Sequence, residues 1–447
     1  MNQWRTTFVA LSVLVAVAGM ILRGQRLTEM AEEVGPKNLV VVMACTTRKD
    51  QVTPYGAPPG VTPHLDQLAR NGALFEDVIA SSSWTKESAV ALFTGHQAID
   101  VGMVEPGPKH SARRLSPLVP TLASRLASHG WHTIGVTANP HLNKAFGLAQ
   151  GFAAYEDTSS RGFSKAHRVH GAQAVERALD LVDERPGRKP VYLRVVLIDP
   201  HAPLDLDPDE VAAFSDEQTP PRIARYRAGL NRTDQAIAAL DAGLQERGLT
   251  PKNTVFVVVT DHGEGLNHPP HHRGQHGRVL YRTLTEVPWI LRGPRIAPDR
   301  RVGGLASHLD VLPTLLGLLE LPGDPSLEGQ DWSALLEEST AETTRTEAFT
   351  ETWYFAANRA ARITRDTACQ SDFGSTVDND SFEPGCFSRA DDPDWTTVRP
   401  DPVAEQEIRA WRDQHQDRYE AWPDTADADH QVGVGTRAQL KALGYVE

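Results

Sequence analysis

The 447-residue chain is poor in cysteine: three residues exclude a disulfide-built scaffold and a Cys-rich zinc module. It is also short of positive charge. Lys and Arg number 45 against 58 Asp and Glu, a formal net charge of −13, which excludes the basic face that a nucleic-acid backbone demands. An anionic small ligand stays open, because a metal or a histidine cluster supplies positive charge locally. No internal repeat is visible. With 40% hydrophobic and 23% charged residues, the chain also lacks the bias of a disordered protein. Its length allows two or three domains, or one large α/β unit with an appendage.

Arg5 and Arg23 bracket a charge-free run, Thr6 to Leu22. That length is the short end of a membrane span. A basic start, an apolar stretch and Ala16-Val17-Ala18 before Gly19 equally fit a signal peptide. Both readings place the remainder outside the cytoplasm, in a periplasm or at the cell exterior, with residues 6–22 in contact with the membrane. Cys369 and Cys386 share one segment and can pair in such an oxidising compartment.

Beyond the connector 27–37, apolar runs alternate with helical patterns. Asn38–Ala44, Pro190–Leu197 and Thr254–Thr260 are continuous apolar runs rich in β-branched residues, the mark of strands buried on both faces. His132–Asn139 and Val287–Leu291 are further strands. Helical spacing covers Thr62–Gly72, Val119–Gly130, Ala172–Asp183, Tyr226–Gly248 and Asp310–Leu318. This alternation predicts a mostly parallel sheet with helices on both faces. From about Thr350 the pattern degrades: Cys369–Pro402 reads as mostly irregular and Glu405–Trp422 as a polar helix.

In open α/β sheets, ligands bind beyond the carboxyl ends of the strands. Three such ends carry chemistry: Cys45-Thr46-Thr47-Arg48, Asp199-Pro200-His201 and Asp261-His262-Gly263-Glu264. A hydroxyl-rich stretch, Ser81 to Thr85, precedes a helix closed by Gly95. His268, His271, His272 and His276 crowd the loop after Asp261-His262.

At these residues the chain resembles the sulfatase family of the alkaline phosphatase superfamily. Val41-Val42-Met43-Ala44-Cys45-Thr46-Thr47-Arg48-Lys49-Asp50 reaches Tyr55-Gly56 in the register of the family's opening strand. Thr62-Pro63-His64-Leu65-Asp66, Trp84-Thr85-Lys86-Glu87-Ser88, Asp199-Pro200-His201, Thr260-Asp261-His262-Gly263-Glu264, Gln275-His276-Gly277-Arg278 and Ser307-His308-Leu309-Asp310 follow in family order. The resemblance covers roughly residues 38 to 335. It implies an alkaline phosphatase-like α/β fold with a smaller C-terminal subdomain. The expected boundaries are 1–26 (signal or anchor), 27–37 (linker), 38–345 (catalytic domain) and 346–447 (C-terminal subdomain).

The resemblance further implies Thr85 as nucleophile, with Asp261, His262, Thr85 and Cys45 at a divalent metal. His201 and His276 would act on substrate or leaving group, and Asp199 and Arg278 would help bind substrate. Two departures qualify this. Thr85 replaces the Cys or Ser that formylglycine maturation requires, and Glu87 and Ala89 replace the Pro and Arg that accompany it, so a formylglycine sulfatase is excluded. Cys45 stands where the family has a metal-binding Asp. A thiolate suits zinc but partners calcium or magnesium poorly, so zinc or manganese is expected in preference to calcium, or no metal if the site is degenerate. The expected activity is therefore an exported hydrolase or transferase of sulfate or phosphate esters, phosphoryl favoured. The alternative is a catalytically impaired binding protein that recognises an anionic glycan or lipid headgroup.

Overall fold

A computed structural model describes residues 38–104, 113–157, 169–267, 276–337, 342–354, 357–375, 382–392 and 394–421. The run 6–22, the connector 27–37, and His268, His271 and His272 lie outside the described residues. No helix among the described residues is long and apolar enough to cross a membrane.

The apolar runs form the centre of an eight-stranded sheet ordered β4-β3-β5-β1-β6-β7-β2-β8. Its strands are β1 (Asn38–Ala44), β2 (Ala73–Ile79), β3 (His132–Thr137), β4 (Ala154–Glu156), β5 (Val191–Leu197), β6 (Thr254–Val259), β7 (Glu286–Arg292) and β8 (Arg300–Ser307). β1 pairs in parallel with both β5 and β6, Val41 lying opposite Arg194 and Val257. β7 alone runs antiparallel to its neighbours. Every residue of β5 and β6 is buried, as is β1 beyond Asn38. Covered on both faces, these strands need no polar alternation, and each buried Val or Leu contributes about 1.5–3 kcal/mol.

Helices cover the two faces. Pro63–Arg70 (α1), Gly171–Asp183 (α4) and Pro221–Glu246 (α5) pack together as one layer. Thr85–Thr94 (α2), Leu122–Ser128 (α3) and Val311–Leu318 (α6) form the other. Inside the sheet, Arg194 of β5 is buried without a carboxylate. It donates to the Leu148 carbonyl at 2.9 Å and stacks its guanidinium 4.4 Å from the Phe93 ring centroid and 4.6 Å from that of Phe152.

The C-terminal region is more ordered than its composition suggests. Cys369–Pro402 was expected to be mostly irregular. It instead supplies β11 (Thr367–Asp372) and β12 (Gly385–Ser388) to a second sheet, ordered β12-β11-β10-β9, with β9 (Glu347–Thr352) and β10 (Arg359–Thr364). The strands are short, and polar residues such as Gln370 and Ser371 are buried in them, which hides the apolar signal. Cys369 and Cys386 lie opposite each other in the β11–β12 register and form a disulfide. Pro402–Ala421 is a helix (α7), as the polar segment predicted within a few residues.

Candidate active site

Because β1, β5 and β6 are parallel, their last residues share one sheet edge. Cys45, Asp199 and Asp261 therefore leave the sheet together, as the strand pattern predicted. Just past β1, Thr46 adopts a left-handed backbone (φ 55°), an uncommon state for a β-branched residue. Buried Tyr226 of α5 holds it there: its hydroxyl donates to the Thr46 carbonyl and accepts from Arg48 N at 2.8 Å. In this conformation Thr46 N donates to Asp261 Oδ1 at 2.9 Å, as does His262 N. After Asp261 the chain passes so close to Thr283 that a Cβ on Gly263 would lie 1.9 Å from its carbonyl oxygen, so only glycine fits.

Thr85 is the first residue of α2, and its Oγ1 lies 3.2 Å from Nε2 of His262. The His262 tautomer follows from its other nitrogen. Nδ1 faces the Gly263 carbonyl at 2.8 Å, which can only accept, so Nδ1 carries the proton and the neutral ring presents a lone pair at Nε2. Burial holds the ring below its ordinary pKa despite the Asp261 charge beside it, so neutral is the working form. For Asp261, burial acts to raise the carboxyl. The carboxyl is nevertheless held below its ordinary pKa, with the N–H groups of Thr46 and His262 donating to it, and the group stays ionised.

Asp261 Oδ2 is buried with no hydrogen-bond partner and lies 3.5 Å from His262 Nε2. An unmatched carboxylate oxygen converging with an imidazole lone pair and a hydroxyl is the donor set a divalent cation needs, and a buried charge left unmatched is costly. These three residues fit a metal. Cys45 fits less well. Its thiol is held well above its ordinary pKa by burial and by the Asp261 charge, and Sγ receives a contact from Asn139 Nδ2 at 3.5 Å. Among the described residues, the His/Cys/Asp/Glu groups that converge within 4.8 Å are elsewhere: Cys369–Cys386–Asp401 and Asp100–Glu328–His415.

A second group stands beside the first. The His276 ring stacks on His262 with centroids 4.5 Å apart, and its Nε2 meets His201 Nε2 at 3.3 Å. His276 Nδ1 donates to Glu264 Oε2 at 2.9 Å, and His201 Nδ1 donates to the Ala202 carbonyl. With both Nδ1 atoms committed as donors, two neutral rings would oppose lone pair to lone pair. The contact requires one further proton between the Nε2 atoms. Glu264 balances that charge: burial acts to raise its pKa, but the charge and hydrogen bond of His276, with His201 beyond it, bring it down to about 2.

The remaining expected residues lie apart. Both Asp199 oxygens accept from Gly171 N, at 3.1 and 3.0 Å, so this carboxylate anchors the start of α4. Arg278 is exposed, and its carbonyl accepts from Arg359. Glu87 accepts from Ser82 Oγ and so shapes the loop ahead of Thr85. Sequence reasoning gave no role to Tyr226, Tyr354 or His308. Tyr354 follows β9 and packs on Trp84 at 3.9 Å between centroids. Buried His308 accepts from Ser81 N at 3.2 Å, and burial lowers its pKa to about 3. The Ser307-His308-Leu309-Asp310 match was its available signal; Tyr226 and Tyr354 had none.

A mostly parallel sheet that gathers a hydroxyl, an Asp–His pair and two further histidines at its carboxyl edge defines an alkaline phosphatase-like α/β protein. A family model described as Sulfatase matches residues 37–321, and the chain belongs to that family. It is 24% identical over 355 residues to the ulvan-active sulfatase of Formosa agariphila, covering 71% of this chain and 68% of the relative. A structure solved with its substrate D-glucosamine-2-N,6-O-disulfate superposes with a TM-score of 0.72 at 15% identity, over 88% of this chain and all of the other. The phosphonate monoester hydrolase of Agrobacterium radiobacter gives a TM-score of 0.64 at 17% identity, over 88% of this chain and 96% of the other.

Proposed function

We propose that the chain hydrolyses sulfate or phosphate esters through a covalent ester on Thr85, outside the cytoplasm. The observation that carries this is the convergence of Thr85 Oγ1, His262 Nε2 and the unmatched Asp261 Oδ2 within 3.2 and 3.5 Å. A divalent cation held by these residues would lower the pKa of the hydroxyl and offset charge on the transferring group.

Thr85 Oγ1 releases its proton to solvent as it ionises and forms a bond to phosphorus or sulfur as the bond to the leaving oxygen breaks. The leaving oxygen takes the proton shared by His201 and His276, and Glu264 keeps that proton available by holding the His276 ring. Water then cleaves the Thr85 ester. Phosphoryl transfer is favoured because a Thr sulfate cannot be released by elimination, the route open to a formylglycine hydrate. The Cys369–Cys386 disulfide supports an oxidising compartment.

The test is turnover of aryl sulfate, phosphate monoester, phosphodiester and phosphonate monoester, with mass spectrometry of the trapped protein. A covalent adduct on Thr85 and a loss of about a thousandfold or more in Thr85→Ala are expected. Undiminished turnover by Thr85→Ala overturns the reading. The protonated Cys45 thiol favours a second one, an anion-binding protein without turnover. Ester binding with no hydrolysis, unrescued by Cys45→Asp, would establish it.

A further inference from the structure

Beside the His201–His276 pair lies a cleft of about 650 Å³ between the loop after β5, the loop after β6 and the first turns of α5. One wall is Glu264 itself, and Ala202 of the lining adjoins His201. The floor is aliphatic, from Ala202, Leu204, Pro221 and Leu266, and Arg222 and Arg225 stand one helical turn apart at its edge. We propose, resting on the hydrolase reading above, that this cleft takes the leaving group of the ester: an apolar body that carries a second negative charge.

Three observations support this. First, among the described residues the lining contains no aromatic side chain, and its polar groups, Arg222, Arg225, Glu264 and Asn267, stand at the walls and edge, outside the aliphatic floor. A sugar would lose water from its hydroxyls against this floor without finding partners, whereas an aryl or alkyl body would not. Second, the cleft has its own source of positive charge. Arg222 is exposed and makes no hydrogen bond or ion pair among the described residues. Arg225 donates to the Leu204 carbonyl at 3.0 Å, which ties the loop to the helix, and among the described residues it too makes no ion pair with a carboxylate. Both lie at the amino end of a 26-residue helix, where the backbone dipole adds positive potential. Third, the far wall is fixed. Leu266 and Asn267 are consecutive non-glycine residues in the left-handed region (φ 54° and 51°). Such backbone persists only where its surroundings hold it, and Leu266 packs on Val61, Tyr226 and Leu230.

The test measures binding of leaving groups, which needs no turnover. 4-Nitrophenol and 5-hydroxy-2-nitrobenzoate share a body and differ by one carboxylate. Calorimetry on the full chain should show the carboxylated phenol binding about tenfold tighter. In Arg222→Ala/Arg225→Ala the two affinities should become equal, with 4-nitrophenol unchanged. Both arginines are exposed, so the fold should survive. Leu204→Glu should weaken both phenols. Equal affinities in the wild-type chain, or a preference that survives the double substitution, would overturn the proposal. So would tighter binding of D-glucosamine 6-sulfate than of the carboxylated phenol. If esters of both phenols are hydrolysed without preference, the cleft assignment alone fails. If the binding preference is present and no ester is hydrolysed, the hydrolase reading alone fails.

Discussion

Cys45 stands at the carboxyl end of β1 beside Asp261, and its neighbourhood keeps the thiol protonated. Metal binding there must work against burial and the Asp261 charge to ionise the sulfur, so affinity should fall as pH drops. Cys45→Asp supplies an ionised oxygen beside the unmatched Asp261 Oδ2. It should raise affinity for a harder cation such as manganese by about tenfold or more, read by calorimetry, and raise ester turnover with it. An Asp variant no better than the wild-type chain in both would show that the other ligands are not poised. Tyr226 acts at one remove from the chemistry. Tyr226→Phe removes one donor and one acceptor from the Thr46–Arg48 backbone and leaves the ring packing intact. It should cost about 1–3 kcal/mol of stability. It should also lower kcat more than it raises KM, because Thr46 N positions Asp261. A change in KM alone would assign Tyr226 to substrate binding instead.

Among the elements, β1, β5 and β6 were legible because burial on both faces writes a continuous apolar run, and their ends pointed to Cys45, Asp199 and Asp261. β8 was not: Arg300-Arg301-Val302-Gly303-Gly304 carries arginines and glycines in the last strand of the sheet, whose outer side is met only by isolated bridges from Glu342 and Arg345 among the described residues. Nor could spacing show that Asp199 caps α4 or that Tyr354 reaches Trp84, since both depend on contacts made only after folding. β9 carries a further hidden feature. Burial raises the Glu351 carboxyl to about 7, although Trp353 Nε1, His415 and Arg412 favour its ionised form and Asp100 opposes it. The unfolded carboxyl titrates near ~4.3. Between these values the folded chain retains a proton that the unfolded chain has released. Stability is therefore lost as pH rises from about 4 to 7, by about 3–4 kcal/mol from this group. Glu351→Gln keeps the Trp353 bond and cannot ionise. It should be the more stable form by about that amount at pH 8, with the difference shrinking toward zero near pH 4, as urea denaturation would show. A pH-independent difference would mean Glu351 is ionised in the folded protein.

At the scale of the molecule, the C-terminal sheet is part of the catalytic geometry. β9 lies against the loop ahead of Thr85: Glu351 N donates to the Ser81 carbonyl at 2.9 Å, and Thr352 Oγ1 donates to the carbonyl of Gly277, next to His276. Gly277 has φ 93°, and a Cβ there would come within 2.9 Å of both Tyr354 and Trp84, so the two sheets meet where no larger residue fits. Arg389, just beyond β12, fixes this arrangement from the other side. It donates to Asp77 Oδ1 at 2.7 Å and to Glu286 Oε1 at 2.9 Å, joining the small sheet to β2 and β7. Glu286 is buried and the Arg389 side chain nearly so, and their attraction is little screened; Glu286 also pairs with Arg282 at 2.9 Å and Lys49 at 3.8 Å, so removing Arg389 deprives Asp77 of its guanidinium and leaves Glu286 only partly neutralised. Arg389→Met should therefore cost about 2–3 kcal/mol, less than a fully uncompensated buried charge but beyond an exposed ion pair. Because β9 supports both the Thr85 and His276 loops, turnover should fall as well, under conditions where circular dichroism shows the main sheet intact. Salt separates the possibilities: a buried pair should show nearly the same cost at 1 M sodium chloride as at low ionic strength. If the cost vanishes at high salt, the Arg389 cluster is solvated. If stability falls while turnover per folded molecule is unchanged, the small sheet braces the fold without setting the geometry of Thr85 and His276.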